Sequence, residues 1–382
     1  MAERVDHVVV GLGALGSAAA YQLAKRGRSV LGLEQFELGH ARGASHDTSR
    51  ILRHSYHTAE YVRLTQEAYD DWALLSADAD QELVTVVGGL DLFPPQPAIP
   101  LDDYIEALTE VGVPFEMLGV AVIEARWPQF SLPDGTVGLY QERGAIVPAG
   151  PGTAAMQDLA RRYGATLCDR SPVAAVSEES VTLADGTVYS CGSVVVCADA
   201  WTAGLLAPLG VDLPLTVTLE QATYFQPERP EDFASERMPV WIWMDEPSFY
   251  GFPCYGEPTV KAAQDCGGPA VDPDSRGSEA DDDMLGLLSE HMAAVLPGSG
   301  RPVRSLRCQY TLTPDRDFVI DRVPGHPSVV VGLGAAHGFK FAPTFGRLLA
   351  DLAVGERDSI SPTFALDRPA LTDPSYDVHW LV

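Results

Sequence analysis

The sequence predicts a mixed α/β chain of two interleaved domains, one built on a parallel sheet and one on an antiparallel sheet. Three observations predict it. A β-branched run opens the chain and passes at once into a glycine-rich turn and a helix. Similar runs recur at Ser193–Ala198 and Val329–Gly334, in the middle and near the end. Between them, residues 215–265 are rich in aromatics, proline and β-branched residues without helical periodicity, which reads as antiparallel sheet.

The opening element is Asp6–Val10, a short apolar run suited to a buried parallel strand. Gly11-Leu12-Gly13-Ala14-Leu15-Gly16 follows, a GxGxxG turn, and Ser17–Gly27 reads as a helix with a small-residue face and a glycine stop. Ser29–Glu34 is the second strand and ends in an acid. In such a unit Gly11 allows the tight turn, Gly13 lets the backbone approach a pyrophosphate, and Gly16 lets helix and strand pack closely. The helix N-terminus offers unpaired N–H groups to the pyrophosphate. Glu34 can accept hydrogen bonds from ribose hydroxyls and would repel a 2′-phosphate. Strand, turn, helix, strand and terminal acid in this order predict a Rossmann-like dinucleotide site, without separating FAD from NAD.

Further along, residues 60–82 are expected to be helical, with Leu64, Ala68, Trp72 and Leu75 on one side. Val84–Phe93 reads as a strand leaving the first domain, closed by the proline-rich 93–97. A helix is expected over 153–163, and a hairpin at 181–189 with an Asp185-Gly186 turn. Residues 279–296 read as a helix started by Asp281-Asp282-Asp283, and another is expected over 343–353. Nucleotide-domain pieces are thus expected at 1–83, 145–213 and 305–382, and a substrate domain at 84–144 and 214–304. A simple NAD dehydrogenase more often keeps its nucleotide domain in one block, so the interleaving favours a flavoprotein.

Composition narrows the partners. Lys and Arg number 26 against 53 Asp and Glu, a net charge of −27. Such an excess works against binding nucleic acid, which needs cations to displace counterions, and against an anionic membrane. No apolar stretch is long enough to span a bilayer, and the charged Met1–Asp6 is no signal peptide. The 6 cysteines form no CxxC pair, so they read as reduced thiols of a cytoplasmic protein, with no metal site.

Several segments carry a more specific resemblance. Val8–Glu34, Gly43–Tyr56, Phe249–Pro253, Cys308–Asp315, Phe318–Asp321 and His337–Phe341 resemble, in order, segments of the monomeric sarcosine oxidase family. That family, with its N-methyltryptophan and pipecolate oxidases, falls among the FAD proteins of D-amino-acid-oxidase type. The resemblance implies FAD, attached through Cys308, and a monomer that oxidises a secondary amino acid to an imine while O2 becomes H2O2. Lys261, eleven positions after Tyr250, resembles the lysine credited with activating oxygen. A fixed cation would stabilise developing superoxide. Arg53 and Lys340 resemble the pair that holds the substrate carboxylate, where charge and a planar fork orient the reacting carbon. Tyr250 and His337 resemble pocket residues on the substrate side.

The cofactor set implied is Gly11, Gly13, Ala14, Leu15, Gly16, Glu34, Gln35, Gly43, Ser45, His46, Arg50, Val173, Ala198, Trp201, Cys308, Gly334, Gly338, Phe339 and Lys340. Arg304 and Arg307 are expected to favour the Cys308 thiolate. Three departures bear on the substrate: Asp265 where the family has histidine, Asp199 where it has glycine, and Gly334 where it has phenylalanine. The last should open space beside the flavin and admit a substrate bulkier than sarcosine. The competing readings are a flavin dehydrogenase with another electron acceptor, an NAD-dependent dehydrogenase, a non-catalytic flavoprotein, and a biosynthetic tailoring oxidase of a cyclic imino acid or other amine.

Overall fold

A computed structural model describes residues 4–380; Met1, Ala2 and Glu3 of the charged start lie outside the described residues, as do the last two. At its centre the strands Val5–Val10, Val30–Leu33, Thr166–Cys168, Val188–Val196 and His326–Leu333 pair in parallel, with Val5–Val10 between Val30–Leu33 and Val188–Val196. The β-branched runs are buried on both faces, as parallel strands require. Val9 packs with the helices on one side, while Val8 and Val10 pack with Leu31, Leu33, Val194 and Val196 on the other. The helix Ala14–Lys25 lies against Ala149–Arg162 and Ala342–Val354.

The second sheet is mainly antiparallel. Arg301–Leu312 pairs along Thr216–Gln226, followed by Val260–Gln264, Phe249–Phe252 and Val240–Trp243. Val240–Trp243 then runs parallel to Gly89–Phe93, which joins the outer strands Val137–Gln141 and Glu116–Gly119. The antiparallel reading of 215–265 therefore holds, with one parallel step at its join to the earlier segment.

Two expectations need adjusting. The strand expected over 84–93 is broken into Thr85–Val86 and Gly89–Phe93, because Gly88 adopts φ +83° between them. The boundary placed before residue 305 falls inside Arg301–Leu312, which hydrogen-bonds along the antiparallel sheet as one strand. No described helix is long and apolar enough to cross a membrane.

Candidate active site

A cavity of about 520 Å³ lies between the two sheets. Apart from Gly16, every residue expected at the cofactor or in catalysis lines it. Gly16 acts behind the wall, since a Cβ there would stand 1.9 Å from Gly11 O. Gly11 sits at φ +86°, and its own Cβ would stand 2.4 Å from Cys197 O. These two positions force the strand, turn and helix into contact.

The dinucleotide end follows from local bonding. Ala14 N–H donates to Ser45 Oγ (2.9 Å), which ties the glycine turn to the 43–50 segment. Glu34 is buried, accepting from Leu12 N–H at one carboxylate oxygen (2.8 Å) and Phe36 N–H at the other (3.1 Å). Burial opposes its charge, but His40 and these two backbone donors outweigh it and hold its pKa below the usual value. A carboxylate can accept about four hydrogen bonds, so lone pairs remain for a ribose. Val173, Ala198 and Trp201 line this part of the cavity. His46 Nε2 and Gln309 Oε1 are buried without a described partner, and both residues line the cavity. Unsatisfied groups of this kind fit a large polar ligand such as FAD.

Cys308 also lines the cavity and is half-buried, so the flavin-attachment reading has the thiol in the right chamber. Its expected helpers are elsewhere. Arg307 faces the other side of its strand and donates to Leu219 O (2.9 Å), as the alternation of a strand dictates. Arg304 pairs with Glu257 at 2.6 Å. Burial raises the Cys308 pKa, and Arg50 and Lys261 are the cations that oppose the rise.

Two cations are held by carboxylates that the sequence did not single out. Lys261 is 4% exposed and lies 2.6 Å from Asp47. It also donates to Ser49 O at 3.0 Å. Tyr224 OH donates to Asp47 as well. Burial, with repulsion from Arg50, lowers the Lys261 pKa to about 8 despite this partner. Asp47 suffers the same burial, yet Lys261 and the Tyr224 hydroxyl bring it down to about 2. Arg53 is likewise buried and donates to Asp91 at 3.0 Å.

Lys340 differs. Its ammonium donates to two neutral oxygens, Tyr56 Oη (2.8 Å) and His337 O (3.1 Å). Burial and the nearby Arg53 and Arg316 push its pKa well down. Tyr56 Oη lies 3.2 Å from His337 Nδ1, and His337 Nε2 lies 3.0 Å from Arg316 O. A carbonyl only accepts, so the imidazole proton belongs on Nε2, and Tyr56 donates to Nδ1. The chain Lys340–Tyr56–His337–Arg316 is thus fully directed. Burial first, then Lys340, keeps His337 neutral by lowering its pKa well below the ordinary value.

Tyr250 has its hydroxyl 3.5 Å from Tyr310 Oη, and both residues line the cavity. Asp265 receives a two-pronged ion pair from Arg316, both contacts at 2.8 Å. Asp199 is half-buried, accepts from Gln309 Nε2 (3.3 Å), and has its pKa raised by desolvation. Gly334 lines the cavity, but a Cβ there would stand 3.2 Å from Gly338 Cα. The room expected at that position is partly taken by the following turn. Among the described residues no cluster of metal-ligating side chains occurs.

Residues 6–352 match the DAO family, FAD dependent oxidoreductase. The chain belongs to this family. It is 35% identical to a monomeric sarcosine oxidase of Streptomyces avermitilis, over 93% of this chain and 94% of that protein. It is 31% identical to the human peroxisomal sarcosine oxidase, over 94% of each. Among solved structures it is similar to NikD, an unusual amino acid oxidase essential for nikkomycin biosynthesis, with TM-score 0.84 and 29% identity, covering 95% of this chain and 97% of that one. This FAD-dependent oxidoreductase is of the sarcosine oxidase type, a class that acts on CH–NH groups with oxygen as acceptor.

Asp47, Tyr56, Asp91, Tyr310 and Arg316 are the residues that sequence reasoning left out of the site. Asp47 and Tyr56 fall inside the Gly43–Tyr56 segment and Tyr310 follows Cys308 by two, so proximity to a motif was their signal. Arg316 had the same signal, standing between the Cys308–Asp315 and Phe318–Asp321 segments, whereas Asp91 had none beyond being a charged residue in an apolar run.

Proposed function

We propose that this enzyme oxidises a secondary amino acid, N-methyl or cyclic, to its imine and reduces O2 to H2O2, with FAD attached through Cys308. FAD, when bound, takes two electrons from the CH–NH group and gives them to oxygen. The observation that carries the reading is Lys340, a half-buried lysine in the cavity wall whose described hydrogen-bond partners are neutral oxygens. Asp265 is the carboxylate whose charge reaches Lys340 without bonding to it; a substrate carboxylate would supply a directly bonded anion and, once held, orient the reacting carbon.

Arg53 then has a different part from the one the resemblance implied. Its charge is already matched by Asp91, so it supports the wall near Tyr56, with its guanidinium 5.2 Å from that ring centre. Tyr56 and neutral His337 fix the Lys340 ammonium. Lys261, held between Asp47 and Ser49, presents fixed positive charge where oxygen reacts. Protein residues at 43–50 are ordered by Arg50, which donates to Ala44 O (2.8 Å) and His46 O (3.0 Å). Oxidation needs the neutral amine, so the substrate gives its ammonium proton to solvent before it reacts.

The test is anaerobic addition of N-methyl and cyclic amino acids to the yellow protein. Bleaching by at least one, followed by recolouring in air with one H2O2 per substrate, is the expected result. A flavin that no member bleaches overturns the reading. Recolouring with another acceptor but not with oxygen favours a dehydrogenase. Acid precipitation addresses attachment: a yellow pellet from the native protein and a colourless one from Cys308→Ala are expected. The similarity to NikD supports a second reading, a biosynthetic tailoring oxidase; bleaching confined to cyclic members would favour it, with a cyclic imino acid as substrate.

A further inference from the structure

The Asp265–Arg316 pair stands in the wall of the same cavity as Lys340, yet the oxidation reaction gives it no task. Asp265 replaces a histidine expected from the family resemblance, and Arg316 was not anticipated. Three features set the pair apart from an ordinary structural ion pair.

First, the two partners are unequally exposed. Arg316 keeps 4% of its side chain accessible and Asp265 keeps 20%. The arginine is the backing and the carboxylate is the face. Each Asp265 oxygen accepts one contact from Arg316, which leaves about half of the carboxylate's acceptor capacity free.

Second, Arg316 is fixed from several sides. Its backbone sits at φ +60°, its carbonyl accepts from His337 Nε2, and Nη1 also donates to Trp380 O at 2.7 Å. Trp380 is itself tied down through Nε1, which donates to Thr313 O at 3.1 Å. Asp265 is anchored at its own backbone, N–H to Ser248 O at 2.9 Å. The carboxylate therefore has one orientation.

Third, a buried ion pair is a poor way to stabilise a fold, since well-packed apolar residues of the same volume commonly serve as well or better. An oriented carboxylate beside a ligand chamber has a use that apolar residues lack.

We propose that Asp265 is the specificity-determining residue of the substrate chamber, oriented by Arg316, and that it selects substrates whose side chain carries a hydroxyl or N–H donor. The reading rests on the assignment of Lys340 to the substrate carboxylate. One end of the substrate is then held by a cation and the other by an anion, a pattern that rejects purely apolar side chains. Arg316 is a positioning residue: it reaches the substrate only through Asp265.

The experiment uses the FAD-loaded enzyme and two unreactive acids of equal heavy-atom count, 4-hydroxybutanoate and pentanoate. Their dissociation constants are read from the flavin absorbance change and from the rise in Tm. A hydrogen bond to a charged group contributes about 1.5–3 kcal/mol, so 4-hydroxybutanoate should bind at least about tenfold more tightly. Asp265→Leu should bring the ratio to about one by weakening only 4-hydroxybutanoate. Because that variant leaves Arg316 buried and unpaired, the double variant D265L/R316M is measured beside it and should give the same ratio. Arg316→Met alone should lower the ratio in part, an effect that simple loss of stability would not produce. Equal binding of the two acids by the native enzyme overturns the proposal, as does an unchanged ratio in D265L/R316M or binding of neither acid. Anaerobic bleaching by N-methylalanine is recorded on the same samples. Bleaching without acid discrimination refutes the role of Asp265 and leaves amine oxidation standing, whereas no bleaching by any secondary amino acid refutes amine oxidation itself.

Discussion

Lys261 Nζ lies 2.6 Å from the carboxylate of Asp47, and both side chains are buried in the cavity wall. The contact makes the lysine's charge depend on its neighbour. Burial has brought Lys261 to about 8, and Asp47 opposes that shift. Below about pH 8 the ammonium form dominates; above it the amine does. The oxygen reaction, measured as kcat/KM for O2, should therefore fall as pH rises through about 8. Lys261→Met should remove this dependence and slow reoxidation by orders of magnitude while leaving anaerobic bleaching largely intact. Asp47→Asn should move the fall to lower pH, because it removes the group that favours the charged lysine.

The Arg53–Asp91 pair predicts a different phenotype. Asp91 is fully enclosed, its Oδ2 has no described partner, and burial raises its pKa. Removing one member leaves the other charge buried and alone, a loss of about 3–5 kcal/mol. Asp91→Ala should thus lower the urea midpoint sharply. Replacing both residues by apolar ones of similar volume should recover most of the stability. A double variant as unstable as the single one would show that packing, not charge, is at issue.

Lys340 gives the carboxylate test. Its ammonium must carry a proton to hold an anion, yet burial and its arginine neighbours work against that proton. Binding of a carboxylate should therefore take up a proton, and affinity should weaken as pH rises. Lys340→Met should weaken an unreactive carboxylic acid by roughly 10- to 100-fold, the range for a charge-assisted hydrogen bond, and should flatten the pH dependence. Calorimetry in buffers of different ionisation enthalpy counts the proton directly.

The parallel core was legible because its signals are local. A β-branched run, a glycine turn and a small-residue helix each sit within a dozen residues, and the physics that links them is backbone geometry. The helix Leu101–Val111 was also within reach, since Tyr104, Ala107 and Leu108 sit at helical spacing, but the proline-rich stretch before it obscures its start. Arg301–Leu312 gives less warning: its first four residues, Arg-Pro-Val-Arg, are exposed and show no apolar alternation. At the site, the motifs supplied the cations but not their partners. Arg53 and Asp91 are 38 positions apart, and Arg316 and Asp265 are 51 apart. Only the pairing of strands brings such residues together, so which lysine is neutralised and which is free had no local signature. The same limit explains why Arg304 and Arg307 seemed natural helpers for Cys308: adjacency in sequence places Arg307 on the opposite face of the strand.

The glycine turn permits a final, sharper prediction, because its three glycines meet different neighbours. A Cβ at Gly11 or Gly16 would strike backbone, at 2.4 Å from Cys197 O and 1.9 Å from Gly11 O respectively. At Gly13 the nearest atom is Ser45 Oγ at 3.1 Å, the tip of a side chain, and beyond it lies the cavity. Gly11→Ala and Gly16→Ala should therefore lose both cofactor and stability, since the strand and helix must separate. Gly13→Ala should fold with a near-native urea midpoint yet bind FAD poorly, because the added methyl occupies the space through which the backbone approaches the pyrophosphate. Flavin content and urea midpoint measured on the same three proteins separate the two effects. A Gly13→Ala protein that stays fully yellow would mean that the pyrophosphate does not lie against this turn.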